Sequence, residues 1–97
     1  MKKLDRVDLK FILSWDLTAF TDDANTVESV VYDNDDKNGF LLYFEFKKSK
    51  DYTEGEIIEY ITERIKYYLD DDDVDMETYF LDGGIEYNHS KLIIKVN

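Results

Sequence analysis

Cysteine and proline are both missing from this chain of 97 residues, and histidine occurs once. Without cysteine there can be no disulfide, no thiolate metal site and no cysteine nucleophile, and nothing indicates an oxidising compartment. Long apolar runs are missing too: residues 1–6 include four charged side chains, and the next apolar run is short and interrupted. We therefore expect a cytoplasmic protein with neither a signal peptide nor a membrane span.

Basic residues are scarce as well. Twelve Lys and Arg stand against 23 Asp and Glu, which gives a net charge of −11, and residues 11–36 and 67–90 contain no Lys or Arg. A chain of this charge repels nucleic acid and anionic membranes and attracts basic surfaces. We expect cationic protein partners. The competing interpretation is that the acidity serves solubility alone.

The chain nevertheless contains enough apolar material to fold. Hydrophobic residues make up 43% and aromatic residues 15%, which is too rich for a disordered acidic tail. A length of 97 residues suffices for one two-layer core and is too short for two. We expect a single domain over residues 1–97, and no internal repeat or linker is evident.

One helix is predicted over residues 51–69. Thr53 followed three residues later by Glu56 is a capping-box pattern, and Glu54 also lies near the positive end of the helix dipole. The other end is unusual, because four aspartates follow at the negative end of the dipole. The apolar stripe that should pack on a sheet consists of Ile57, Ile58, Ile61, Ile65, Tyr68 and Leu69.

Strands are predicted on both sides of this helix. Residues 6–15 alternate in polarity, with Val7, Leu9, Phe11, Leu13 and Trp15 on the apolar side, and are predicted to form the first strand. Residues 16–25 are predicted as a loop, with one short turn around residues 17–20. Residues 26–32 and 40–47 form a predicted hairpin, because Asn38-Gly39 between two alternating runs is a strong turn signal.

Two more strands follow the helix. They comprise residues 76–81 and, after a turn at residues 82–84, residues 85–87 plus 91–96, with a turn or bulge near residues 88–90. The predicted fold class is therefore α+β, with a single antiparallel sheet of about five strands, one helix packed on one face, and the order β-β-β-α-β-β. Within this sheet, Phe40, Leu42, Phe44 and Phe46 should line the core face.

The candidate binding residues are acidic side chains with tyrosines between them. Six carboxylates fall within residues 70–77, and three glutamates repeat on the helix face opposite the isoleucines. A nucleic-acid-binding groove is built from Lys and Arg that neutralise phosphates, so such a row could occupy it as a phosphate mimic. The predicted partner-binding residues are Asp70, Asp71, Asp72, Asp73, Asp75, Glu77, Glu56, Glu59, Glu63, Tyr60 and Tyr67.

In size, acidity, lack of cysteine and exposed Asp and Tyr, the chain resembles small inhibitors encoded by phages and other mobile elements. These include anti-CRISPR proteins and DNA-mimic inhibitors of DNA enzymes. The resemblance implies binding to a basic nucleic-acid-binding protein or ribonucleoprotein in the host cytoplasm, with no direct contact with nucleic acid or membrane. Acidic immunity proteins that neutralise basic nuclease toxins are similar for the same electrostatic reason.

Two segments can be compared with the calcium-loop pattern D-x-[DN]-x-[DN]-G-x5-E. In residues 71–82, Met76 replaces the glycine and Asp82 the final glutamate. Residues 34–45 depart from the pattern only at Asn34, but their flanks indicate strands, and an Asn-Gly hairpin needs no metal. We expect no metal site.

Few residues are suited to catalysis. His89 is a lone imidazole in a predicted turn, and pairs such as Asp35 and Asp36 have no evident apolar pocket to raise a pKa. The chain has no phosphate-binding glycine loop, nucleophile elbow or zinc spacing. We expect no enzyme activity, no catalytic residue and no cofactor.

The predicted function is inhibition of a nucleic-acid-binding effector, for example a CRISPR nuclease complex, by occupation of its basic groove. Two alternatives remain open besides an immunity protein. The first is a non-inhibitory oligomeric module, such as a homodimer that pairs through an edge strand carrying Ile12 or Ile93 on its outer face. The second is a cation-binding structural module.

Overall fold

Residues 6–15, predicted as a strand, lie in a helix in the computed structural model. The structure describes residues 4–22, 27–33, 39–81 and 89–97. The fold is α+β with one antiparallel sheet, but the described residues contain two helices and four strands, so the predicted single helix, five strands and β-β-β-α-β-β order are wrong in detail. The elements are α1 (Arg6–Leu17), a short 3-10 helix (Thr18–Phe20), β1 (Glu28–Asp33), β2 (Phe40–Phe46), α2 (Glu54–Leu69), β3 (Met76–Phe80) and β4 (Ser90–Val96).

Helix α1 begins where a side-chain cap is available. The Asp5 carboxylate accepts a hydrogen bond of 2.8 Å from the Asp8 amide, which satisfies one of the free donors of the first turn. Leu9, Leu13 and Leu17 are fully buried, at the four-residue spacing of one helix face. The predicted strand failed because leucines spaced by four also fit an alternating pattern, and the cap at Asp5 favours the helix.

The sheet has the order β1-β2-β4-β3, and all neighbouring strands are antiparallel. The pairing of β1 with β2 in the predicted hairpin is confirmed, and the predicted short turn is the 3-10 helix. The predicted hairpin turn falls largely on residues 34–38, which lie outside the described residues. Both helices cover one face of the sheet. The core side chains on that face are Leu42, Phe44, Phe46, Leu92, Ile94 and Val96, with Phe40 packed beside them.

The last predicted strand forms only in part within the described residues. Its first piece, residues 85–87, and the turn at residues 82–84 lie outside them, and the second piece is β4. Because β4 lies between β2 and β3, it provides no free edge, and Ile93 is only 7% exposed. Ile12 lies on α1 and packs against the core, so neither predicted edge strand exists. Neither helix of the described residues is long and apolar enough to cross a bilayer.

The topology consists of two helix–hairpin units, α1-β1-β2 and α2-β3-β4, that meet where β2 pairs with β4. The N-caps Asp5 and Thr53 are 48 positions apart, and the buried residues of the two helices share this separation. The central strands correspond at a separation of 50 positions, so Leu42 in β2 is equivalent in position to Leu92 in β4, although its neighbour across the sheet is Ile94. Few of the paired residues are identical, so no repeat is evident in the sequence. The helix pairs are Leu9 and Ile57, Leu13 and Ile61, and Leu17 and Ile65.

Candidate functional site

The predicted helix and its capping box are confirmed in α2. Thr53 accepts a hydrogen bond from the Glu56 amide, and the Glu56 carboxylate accepts one from the Thr53 amide. At the other end Asp70 adopts the left-handed conformation, with φ 52° and ψ 45°. Its amide donates to the Tyr67 carbonyl and the Asp71 amide donates to the Lys66 carbonyl, so the last carbonyls of the helix are capped without a glycine.

Residues 70–75, which we call the aspartate loop, are held by backbone contacts. The Asp73 amide donates to the Asp71 carboxylate over 2.9 Å, and the Asn97 amide donates to the Asp75 carbonyl over 2.9 Å. Val74 packs against the core. These contacts hold the backbone while all five aspartates of the loop remain exposed.

Beside the aspartate loop lies a cavity of about 320 Å³, between the start of α1 and the end of α2. Asp5, Asp71 and Asp75 line it together with apolar residues such as Leu69. Arg6 also lines it, and its guanidinium forms an ion pair with Asp33. Asp5 and this cavity could not be predicted from a sequence pattern that assigns the start of α1 to a strand.

The outer face of α2 extends the negative charge of the loop. Glu56, Glu59 and Glu63 are exposed on the face opposite the buried isoleucines, as predicted from their spacing. Lys66 lies 3.7 Å from Glu63 and compensates part of this charge. The helix rise places Glu56 about 21 Å from Asp70 along the axis. We call the aspartate loop and these three glutamates together the acid surface.

The two predicted tyrosines lie on the same side of the helix and are partly exposed. Tyr60 packs edge-on against Phe20, with ring centroids 5.1 Å apart. Tyr67 packs in the same way against Tyr68, at 5.7 Å. Each tyrosine ring is therefore packed against an aromatic neighbour and also partly exposed beside the acid surface.

Glu77 does not belong to this surface. It lies on β3 between Met76 and Thr78, and alternation along the strand places it on the sheet face away from the helices. Its neighbour across the sheet is Lys95, whose positive charge compensates the negative charge of Glu77. The structure therefore brings ten of the eleven predicted residues to one side of the molecule and places Glu77 on the other.

A polar network joins the two helices beneath the acid surface. The Asp16 carboxylate accepts hydrogen bonds from the Tyr68 hydroxyl, at 2.8 Å, and from Arg64 Nε, at 3.4 Å, and Arg64 also donates to the Tyr68 oxygen. Burial raises the pKa of Tyr68, and its hydrogen bond to Asp16 raises it further. Burial by itself would lower the pKa of Arg64, but its contacts with Tyr68 and Asp16 raise it overall. The charge of Arg64 is thus directed inward, toward Asp16.

Lysines gather at the opposite end of the molecule, where β2 leads into α2. Lys47, Lys48 and Lys50 lie there, within four consecutive residues. The strands run between the two ends, since β2 begins beside the aspartate loop and ends at these lysines. The aspartate loop therefore lies at one end of the molecule, and these lysines, with Asp22, Asp51 and Glu54 near them, lie at the other.

The described residues contain no group of three or more His, Asp or Glu side chains arranged to hold a metal ion. The second calcium-loop candidate falls largely on residues 34–38, which lie outside the described residues, and its final residue, Glu45, is in β2 as the hairpin prediction requires. His89 Nδ1 lies 3.9 Å from the Glu45 carboxylate. Comparisons with protein-family models, curated proteins and solved structures found no match for this chain.

Proposed function

We propose that this protein binds a basic nucleic-acid-binding protein and inhibits it by occupying the groove that holds its polyanion. The observation that supports this proposal is the acid surface, where eight carboxylates of α2 and the aspartate loop lie exposed on one side of the molecule. Such a surface attracts cationic partners and speeds their association. The partner class is a ribonucleoprotein such as a CRISPR nuclease complex, or another protein that binds nucleic acid.

Charged groups are attached to the backbone of the loop nearly as often as along the axis of a nucleic acid strand. Consecutive Cα atoms are about 3.8 Å apart, and four successive residues each carry a carboxylate. A single strand of B-DNA carries one charge per roughly 3.4 Å of helix axis. On α2, Glu59 and Glu63 are spaced at about 6 Å, which is a lower density. The aspartate loop is therefore the better mimic, and α2 extends it.

The loop also accepts neutral substitutes without changing shape. An asparagine at position 71 can still accept the hydrogen bond from the residue 73 amide, because its side chain retains a carbonyl oxygen. We therefore choose the triple loop variant Asp71→Asn, Asp72→Asn, Asp73→Asn, which removes charge and keeps the backbone contacts. The matched control is Asp22→Asn, Asp51→Asn, Glu54→Gln, which removes as many exposed charges at the other end.

The test is competition for a partner captured from host lysate. We expect the partner's nucleic acid substrate to displace the protein, and we expect affinity to fall as salt rises, because ion pairs across the contact are screened. The triple loop variant should bind about tenfold more weakly at low salt, and the control variant should bind as the wild type does. Binding that is indifferent to salt, or that nucleic acid does not compete with, would contradict the proposal.

A further inference from the structure

Helix α1 carries an apolar ridge that the core does not use. Val7, Phe11 and Trp15 follow one another at a spacing of four residues on the side opposite the buried leucines. They are 43%, 62% and 75% exposed. Two aromatic side chains exposed to this extent leave more than about 200 Å² of apolar surface in water, a cost that solubility does not explain.

The second half of the molecule shows that the fold does not require this ridge. The 48-residue separation of the two helices matches Val7 with Gly55, Phe11 with Glu59, and Trp15 with Glu63. Two of these three positions are thus aromatic on α1 and acidic on α2. Because the core positions beneath are apolar in both helices, the difference concerns only the outer surface.

The ridge of α1 and the residues Glu59 and Glu63 of α2 both face away from the sheet, because each lies opposite the buried stripe of its helix. They flank the groove between the two helices. The helices run antiparallel, because the start of α1 meets the end of α2 at the cavity while Phe20, just after α1, meets Tyr60 in the first half of α2. The axes of packed helices lie about 8–10 Å apart. Arg64 lies between the helices. Because its charge is paired with Asp16, it should repel a cation in the groove only weakly.

We propose that this groove binds an amphipathic basic helix of the target protein, an inference that rests on the proposed function. An apolar seam on that helix would contact Phe11 and Trp15, while lysines or arginines on its flank would pair with Glu59 and Glu63. A second copy of this chain fits less well, since each copy carries a charge of −11 and the two would repel. Anionic lipid is repelled for the same reason.

The test uses a synthetic peptide of leucine and lysine whose leucines lie on one helix face. Its control has the same composition with the leucines distributed around the helix. Trp15 is the single tryptophan of the chain, so its fluorescence reports contact at the ridge without a label. We expect the amphipathic peptide to shift Trp15 emission to shorter wavelength, and the control peptide to bind more weakly without a shift.

Substitutions test whether the peptide binds in the groove. The affinity of each variant is measured from the fluorescence anisotropy of labelled peptide. Phe11→Ser and the pair Glu59→Gln, Glu63→Gln should each weaken binding about tenfold. Tyr32→Ser is the matched control, because Tyr32 is 56% exposed on β1. Circular dichroism establishes that each variant folds. Equal affinity of Phe11→Ser and Tyr32→Ser would overturn the inference.

Other occupants give distinct outcomes. A dimer by light scattering, with Trp15 emission that shifts on dilution, would overturn the inference in favour of a second copy. An emission shift with phosphatidylcholine vesicles and none with the peptide would overturn it in favour of a membrane. If Phe11→Ser weakens binding of the captured partner while the triple loop variant binds it as the wild type does, the groove is supported and the phosphate-mimic function fails. If the triple loop variant binds the partner more weakly while Phe11→Ser binds it as the wild type does, the groove alone is rejected.

Discussion

At Asp70, both the left-handed backbone conformation and the negative charge should lower the stability of the protein. Its φ of 52° is the one positive value among the non-glycine residues that the structure describes. Asparagine and aspartate tolerate this region better than other side chains, and glycine enters it without steric cost. Its carboxylate also lies at the negative end of the α2 dipole. Replacement of Asp70 should therefore change stability through two separable effects.

Three substitutions separate these effects. Asp70→Asn removes the charge and keeps the conformational tolerance, so the free energy of unfolding should rise by about 0.5 kcal/mol. Asp70→Gly also removes the steric strain of the left-handed backbone. The free energy of unfolding should then rise by about 1 kcal/mol in total, which is roughly 4–8 °C in melting temperature for a domain of this size. Asp70→Ala gains the charge effect but loses the tolerance of the left-handed region that the short polar side chain provides, at a cost of about 1 kcal/mol, so it should be slightly destabilising.

Urea unfolding followed by circular dichroism measures these differences, because Trp15 is too exposed to report unfolding well. The expected order of stability is Gly, Asn, wild type, Ala. Raised salt should reduce the advantage of Asn, which is electrostatic, and leave the gap between Gly and Ala unchanged. Equal stability of the Gly and Ala variants would refute the conformational argument, and an Asn variant no more stable than wild type at low salt would refute the dipole argument.

Two further predictions concern packing and pH. Gly39→Ala should destabilise the protein by about 2 kcal/mol or more, since the new Cβ would lie 2.5 Å from the Val96 carbonyl oxygen. Gly55→Ala should stabilise it by about 0.5 kcal/mol, because the atom nearest to the new Cβ is 3.9 Å away. Urea unfolding of the two variants compares these effects. Burial and the bond to Asp16 raise the pKa of Tyr68 above 10.0, so its contribution to stability is complete below about pH 10 and is lost as the pH rises through the higher native value. Tyr68→Phe should therefore flatten the alkaline fall of the unfolding free energy, with Tyr67→Phe as the control; an unchanged slope would contradict this.

The sequence predicted α2 and the hairpin well, because each carries a local signal that packing reinforces. The capping box at Thr53 and the isoleucine stripe both indicate a helix, and they agree with its position on the sheet. Gly39 was predicted to belong to the turn of this hairpin. In the structure its backbone is not left-handed, and its lack of a side chain instead lets β2 approach Val96.

The N-terminal helix was mispredicted because two periods fit the same ten residues. Alternation assigned Val7, Phe11 and Trp15 to the core, and these are the residues the helix exposes. The contrary signal was present in the cap at Asp5 and in Leu17, which extends the leucine spacing beyond the predicted strand. An exposed aromatic ridge cannot be recognised from a pattern that takes apolar residues to be buried.

The candidate site was predicted in most of its residues because charge needs no packing to reach the surface. Its boundaries could not be predicted, since they depend on which chain segments meet. Glu77 is close in sequence to the aspartate loop but lies on the other face of the sheet, whereas Asp5 is distant in sequence and lies beside the loop. Neighbours in sequence separate wherever a strand begins, because alternate side chains then point to opposite faces.

The two helix–hairpin units explain why one small molecule can carry such different surfaces. Each helix has a buried stripe that the sheet dictates and an outer ridge that it leaves free. On α1 the chain continues into a short 3-10 helix whose Phe20 returns to the core, whereas α2 ends at Asp70 and continues into the exposed aspartate loop. The five aspartates of the loop thus stay out of the core, while Val74 between them packs against it. The backbone bonds from Asp70 and Asp71 to the last carbonyls of α2 hold that arrangement, so the loop can lose its charges without losing its place.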